Sequence, residues 1–495
     1  WTFMICFVEA LVIGCFLQDV FREKNSKTVL SGSILAIVIC GGLLVWMYSF
    51  KNIKPDHKVT AGVIGFFAVY LILFAVGTSV KKMYRIFPAA VLMVLICELF
   101  VLDYPSLWYR ESPTRNQVAT EYYNDGTKEA AAMLKEQDDS VYRIEKSYIS
   151  ASENDGMSQG YNGLSVYMST NPASLVAYHK MYGPETLSGN FVDFNMDDYI
   201  RSSLLGTKYL ITGTGYHAPQ KIYTSVGEAG GRSVFENQYA LPFGYLYDKE
   251  WNQEEVKEMS GLDKTLASLS GFYYTDAEEM PSYQNADLPE QTDLSLLDYV
   301  DTAIDCTMEK GSEGITVSNL GADPNVVFPG VTSCFADDDK LYGLSLTVDA
   351  PDETEMAVYY QTEGDEGFSA EKVYTFKVTE DNRTWEHLVP GGITALRVDV
   401  SSPVESAVIN NFELKSCDIT ESGYTALKES GVAEVTFSDS TYQAQVTNDA
   451  SENKMLCVPL FYQKGWTAQI DGEDAGVYNI NEGMCGVEVP SGTHE

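Results

Sequence analysis

VTAGVIGFFAVYLILFAVGTSV, residues 59–80, is the stretch that decides how this chain reads, because none of its side chains is charged. A helix of this length rises 1.5 Å per residue and so reaches about 33 Å, enough to cross the ~30 Å hydrocarbon core of a bilayer. Working outward, apolar runs recur at 2–17, 29–50 and 86–102, and none follows Asp103. Inside lipid every backbone N–H and C=O must be satisfied within the segment, so these runs are expected to be helices. The fold class expected is an α+β multidomain membrane protein: transmembrane helices, then an extracytoplasmic α/β domain, then β-sandwich domains.

The chain opens on Trp1 and closes on PSGTHE, residues 490–495. The first run lacks the basic start of a signal peptide. The chain is therefore expected to be an internal fragment, with 1–103 as four transmembrane helices at the end of a larger membrane domain. Basic residues in short loops mark the cytoplasmic side. Arg22, Lys24 and Lys27 in the first loop and Lys81, Lys82 and Arg85 in the third outnumber Lys51, Lys54 and Lys58 in the second. That bias puts the fourth helix exit, and everything after it, outside the cell.

Charge divides at the same place. Of the chain's 33 Lys+Arg and 70 Asp+Glu, 9 and 6 lie in 1–103, which leaves 24 and 64 in 104–495, a net of −40. Such a surface repels nucleic acid and anionic lipid heads, so no nucleic-acid partner is expected. Cys6, Cys15, Cys40 and Cys97 lie in apolar runs and read as small hydrophobes. Cys306, Cys334, Cys417, Cys457 and Cys485 are odd in number and widely spaced, which argues against a disulfide framework and leaves one bridge, Cys457–Cys485, open.

Within 104–300 an α/β domain is expected. Its signals are a helix at 128–137, a period-2 strand at 141–146, a loop-rich stretch at 150–200, buried strands at 204–212 and 234–243, and a helical, acidic linker at 250–300. Residues 301–418 carry short β runs between turn signals (344–348, 355–360, 372–378, 395–400, 407–414), the texture of an antiparallel sandwich. Residues 419–495 read as a C-terminal β domain, with Asp471-Gly472 as a hairpin turn.

Several motifs are similar to those of the YfhO family of bacterial multi-pass membrane proteins: Tyr142-Arg-Ile-Glu145, Asn154-Asp-Gly, Tyr161-Asn-Gly-Leu-Ser, Leu205-Gly-Thr-Lys-Tyr209, Phe235-Glu-Asn237, Ala240-Leu-Pro242, Gly465-Trp466 and Pro490-Ser-Gly-Thr-His494. The block 341–414 resembles galactose-binding-like sandwiches. The resemblance implies a GT-C type glycosyltransferase in the bacterial cell membrane. Its partners would be the bilayer, a polyprenyl-phosphate-linked sugar and a cell-wall polymer acceptor such as lipoteichoic acid. In that family the key acidic residue lies in an earlier exterior loop, so no catalytic residue is carried over. A non-catalytic, membrane-anchored carbohydrate-binding or cell-wall assembly protein is the alternative.

Glu9 and Glu98 are carboxylates deep in apolar runs. One reading has them line the site where a lipid-phosphate sugar docks, through a divalent cation (Mg or Mn); the other has them hydrogen-bond between helices. Arg143 and Glu145 share a strand face by alternation and either hold a phosphate or acidic polymer, or form a structural ion pair. Asp155, Tyr161 and Asn162 supply the polar and aromatic groups of a sugar site, or simply turn the chain. Trp385, Tyr462 and Trp466 are sugar-stacking candidates or core residues. His57, His179, His217, His387 and His494 show no metal-ligand spacing, and no dinucleotide or P-loop glycine motif is present.

Overall fold

The computed structural model describes most of 57–103 and 114–495 and scattered positions in 31–42; residues 1–30, 43–56, 81–84, 104–113, 183–190, 193–198, 214–221 and several shorter stretches lie outside the described residues. The run at 2–17, with Glu9, falls outside them, as does most of the run at 29–50. The chain divides into two units, Trp1–Thr114 and Arg115–Glu495.

In the first unit the charge-poor stretch forms the helix His57–Ser79. A second helix, Phe87–Glu98, takes Pro88 in its first turn, where the missing N–H needs no partner, and continues as a wider π-type turn, Leu99–Asp103. Gly77 makes room for the Phe87 ring, which meets Phe74 edge-on at 5.3 Å. Ile64, Ile72, Leu92, Met93 and Phe100 point outward, each more than half exposed. Among the described residues one helix, Thr60–Gly77, is long and apolar enough to cross a membrane; Phe87–Val101 is apolar but shorter.

The second unit is built from helices and many β-sheets, an α+β arrangement. Its first sheet has the order Arg143–Lys146, Thr207–Thr212, Arg232–Asn237, Tyr223–Ala229, with the first pair parallel. The helix Thr127–Gln137 buries Ala130, Ala131 and Leu134 against Ile144, Ile211 and Val234. Small side chains on that face let helix and sheet approach closely. Expected boundaries shift where caps intervene. Leu204 ends a helix, Tyr199–Leu204, and Gly206, at φ +76°, turns the chain into a strand that starts only at Thr207. The strand expected to stop at Pro242 stops at Asn237, whose side chain accepts from Tyr239 N at 2.9 Å. Among the described residues of 250–300, Leu297–Tyr299 forms a single 3-10 turn, and Gln253–Glu258 and Gly261–Ser270 are α-helical. Asn252 and Ser260 cap their starts, and the chain turns extended at Gly271.

Residues 292–416 form a two-sheet antiparallel sandwich. One sheet orders Thr307–Gly311, Gly314–Ser318, Ser406–Ser416, Leu341–Asp349 and Thr384–Pro390, with Thr292–Ser295 also paired to Ser406–Ser416. The other orders Thr302–Ile304, Asn325–Pro329, Ile393–Val400, Thr354–Thr362 and Val373–Val378. Val317, Leu344, Leu346 and Phe412 pack on Val326, Phe328, Val358, Leu396 and Val398 between them.

The segment after the sandwich returns to the part before it. Tyr245–Tyr247 pairs with Lys454–Phe461, which pairs with Met484–Val489 and then Tyr478–Ile480. Tyr245, Tyr247, Leu266 and Phe272 thus share one core with Met455, Cys457, Ile480 and Met484. The Asp471-Gly472 hairpin forms as read, both residues at positive φ (+51° and +87°) between Ala468–Ile470 and Glu473–Ala475. Cys457 and Cys485 are free. Cys457 sits opposite Gly486 and Cys485 opposite Val458, one position out of step, so alternation sends the two thiols to opposite faces of the sheet.

Candidate functional site

The strand Arg143–Lys146 sorts the candidate residues by alternation. Arg143 and Glu145 are 8 % and 7 % exposed, so neither faces solvent. Arg143 Nη1 donates to the Leu205 carbonyl, and its guanidinium lies 4.9 Å over the Phe243 ring. Burial lowers its pKa to about 10, against the opposing pull of Glu145, and it stays charged at neutral pH. Glu145 Oε1 accepts from Leu164 N at 3.1 Å. Both side chains fix the backbone that follows the strand.

Lys146 points to the other face and centres a buried polar network. Its Nζ donates to Asp155 Oδ2 at 2.7 Å, Ser150 Oγ at 2.7 Å and Gln159 Oε1 at 3.2 Å, and it lies 4.6 Å from the Tyr148 ring centroid. Asp155 also accepts from Ser150 N (2.6 Å) and Ala151 N (3.1 Å). Asp125 accepts from Thr127 N and Oγ1, Ser150 Oγ and Gln159 Nε2. Arg232 Nη2 lies 3.2 Å from Asp125 Oδ2, its Nε donates to the Asp125 carbonyl at 2.9 Å, and its guanidinium covers the Tyr148 ring at 4.1 Å. Two cations and two carboxylates balance, as burial requires.

The electrostatics follow from this geometry. Burial pushes the Asp125 carboxyl up, but the Ser150 and Thr127 hydrogen bonds and Arg232 leave it below the ordinary range. Burial pulls the Lys146 ammonium down further than Asp155 restores it. Burial, with Glu145 and Asp155 adding to it, raises the Tyr161 phenol well above its usual value. These contacts tie Ser150, Ala151, Asp155 and Gln159 to Lys146 and Asp125.

The structure therefore brings Asp155 and Tyr161 to one network, places Arg143 and Glu145 on the opposite strand face, and leaves Asn162 exposed, its carbonyl accepting from Ile144 N at 2.8 Å. Glu98 lies in the other unit, where Tyr70 OH donates to its Oε2 at 2.8 Å. Sequence reading missed Asp125, Lys146, Ser150, Gln159 and Arg232. Asp125-Gly-Thr ahead of an alanine-rich helix is a cap signal that points to Asp125; Arg232 has no local signal. Of the aromatic candidates, Trp385 stacks on Phe376 at 4.9 Å against the sandwich core, and Tyr462 and Trp466 are half-buried, with Trp466 Nε1 donating to the Phe461 carbonyl at 3.2 Å. Among the described residues no group of three or more His, Cys, Asp or Glu is arranged to hold a metal.

The fold is α+β, with one described helix long and apolar enough to cross a membrane ahead of an α/β layer and a sandwich. The family profile described as "Bacterial membrane protein YfhO" matches residues 1–327 and 351–495, and the chain belongs to that family. It is 21 % identical over 519 residues to "Uncharacterized protein YfhO" of Bacillus subtilis (strain 168), covering 99 % of this chain and 56 % of that protein. The chain thus spans just over half the length of this relative. Among solved structures, the C-terminal CBM6 of LamC from Zobellia galactanivorans is 14 % identical with a TM-score of 0.18, over 26 % of this chain and 99 % of that one. The family 11 carbohydrate-binding module from Clostridium thermocellum is 16 % identical with a TM-score of 0.17, over 25 % and 87 %. Likenesses at this level establish no ligand for this chain.

Proposed function

We propose that this chain is part of a multi-pass glycosyltransferase of GT-C type in the bacterial cell membrane. It would move a sugar from a polyprenyl-phosphate carrier to a cell-surface polymer such as teichoic acid. The observation that carries the reading is a bare, outward-facing apolar helix, Thr60–Gly77, upstream of a large β-rich module, in a chain of the YfhO membrane family. The acid excess of 104–495 supports an extracytoplasmic position for that module. Glu98, whose Oε2 accepts from Tyr70 OH, would meet the lipid-phosphate headgroup in this reading, with Glu9 as its sequence counterpart. Glu98 would be a ligand for a divalent cation (Mg or Mn), which would supply positive charge to neutralise the carrier phosphate.

One observation favours a second reading, a non-catalytic assembly or carbohydrate-binding role for the exterior module: the charges of the 149–168 network are spent on one another. The test is deletion of the full-length gene with mass spectrometry of wall-polymer sugars. Loss of one sugar, restored by the parent gene and not by Glu98→Gln at equal protein level, supports the enzyme and the Glu98 role. Unchanged wall sugars on deletion remove the glycosyl-transfer reading.

A further inference from the structure

The Arg115–Glu495 unit leaves eight large hydrophobic side chains exposed among its described residues. Five of them, Val118, Ile149, Met157, Tyr167 and Met168, fall between 118 and 168; Leu294, Ile304 and Phe437 are scattered. The five belong to one neighbourhood. Asn154 Nδ2 donates to the Tyr167 carbonyl at 2.8 Å and Tyr167 N donates back to Asn154 Oδ1 at 3.0 Å, which sets Tyr167 and Met168 beside the turn that carries Met157. The Ser150 and Ala151 amides on Asp155 draw Ile149 to the same place. Asn124 Nδ2 donates to the Val118 carbonyl at 2.6 Å, next to Asp125, which Gln159 bonds.

Met157 is 81 % exposed, two residues from Asp155 at 3 %. The buried ion network thus fixes a loop whose tips are greasy and bare. Contiguous exposed apolar groups on a fixed scaffold mark a contact surface. What it contacts is indicated by charge and by reach. Within 149–168 only Glu153 and the buried Asp155 are charged, and 156–178 carries no charge, in a part of the chain whose net charge is −40. Eleven residues, 104–114, separate Arg115 from the turn that ends at Asp103, and such a stretch spans at most about 40 Å. Charge-poor, Met- and Tyr-bearing surfaces suit the headgroup–acyl boundary, where strongly acidic surfaces are repelled.

We propose that the 149–168 loop, with Val118, rests on the bilayer surface and inserts Ile149, Met157, Tyr167 and Met168 at headgroup depth. This is independent of the catalytic reading: unchanged wall sugars would leave it standing. The test reconstitutes the full-length protein in phosphatidylethanolamine–phosphatidylglycerol vesicles doped with a diazirine lipid, photolyses, and maps adducts by mass spectrometry. Adducts in 149–168 are expected at about ten times the level in the Phe437 peptide, and Met157→Asp with Met168→Asp should remove most of them, because a charge is expelled from that depth. Both positions are exposed, so the fold is not at stake. Equal labelling of the two peptides overturns the proposal. So does a 149–168 segment open to hydroxyl-radical footprinting in vesicles, or one shielded from radicals yet free of lipid adducts, which would assign the surface to a protein or glycan partner.

Discussion

Replacing Lys146 with Met should loosen the 149–168 loop far more than the rest of its unit. The alkyl stem is kept, so packing against Tyr148 changes little, but the ammonium that Asp155, Ser150 and Gln159 share is lost. Lys146 and Asp155 side chains are 5 % and 4 % exposed, so Asp155 is left as a buried carboxylate. Removing one partner of a buried ion pair costs about 3–5 kcal/mol. Asp155 keeps the Ser150 and Ala151 amides, charge-assisted donors that hold the cost to the lower end, about 3 kcal/mol. If that energy governs local opening, the open population rises by about 150-fold. Proteolysis of the detergent-solubilised full-length protein at low protease, where the loop recloses faster than it is cut, with cleavage mapped between 149 and 168, tracks that population. Met157→Ala, at an exposed tip, should cut at the parent rate and serves as the control. A Lys146→Met protein cleaved within about threefold of the parent would show that the network does not hold the loop, since 3 kcal/mol cannot hide in so small a change.

Two further substitutions test the surrounding architecture. Gly126 has φ +96° and a Cβ there would run into the backbone of Gly230, which cannot give way; Gly126→Ala should cost about 3 kcal/mol, seen as a lower urea midpoint. At Asp138, burial pushes the carboxyl up but hydrogen bonds from Lys208, Ser140 and Tyr209 outweigh it and hold the group well below the usual carboxylate range. A pKa depressed by folding adds stability that is present above the unfolded value, about 4, and fades as pH falls below it. Asp138→Asn should therefore lower stability at pH 7 and flatten the acid limb of a stability–pH curve; an unchanged acid limb would refute the assignment.

Much of the sandwich was legible because its central strands alternate strongly. The runs at 344–348, 355–360, 395–400 and 407–414 all lie inside longer strands. Thr384–Pro390 was not read, since Glu386 sits in it, and the partners of that carboxylate are distant in sequence: Leu262 N, 124 residues away, from which it accepts at 3.0 Å, and Lys415 Nζ at 4.0 Å. Thr307–Gly311 was missed because it is an exposed strand with little apolar pattern. The loop network was half visible. Asp155 and Tyr161 stood out for their motif, whereas Lys146 was read only as an alternating residue, and the network it joins also draws on Asp125 and Arg232, which lie far from it in sequence. The parts of the cluster that Asp125 and Arg232 supply are closed only by tertiary folding and leave no local periodicity to find.

The pairing of Leu246 with Leu456 carries a consequence for biogenesis. During synthesis the Tyr245–Tyr247 strand emerges some two hundred residues ahead of the one it pairs with. The intervening sandwich begins and ends on adjacent strands, Thr292–Ser295 against Glu413–Ser416, so it can close on its own as soon as it has left the ribosome. Until Lys454–Phe461 is made, the buried rings of Tyr245, Tyr247 and Phe272 have no partner strand to cover them. Nascent chains halted after Ser416 has cleared the ribosome but before Lys454–Phe461 has emerged should therefore carry a finished sandwich beside a sticky, half-built neighbour, the species a chaperone would engage.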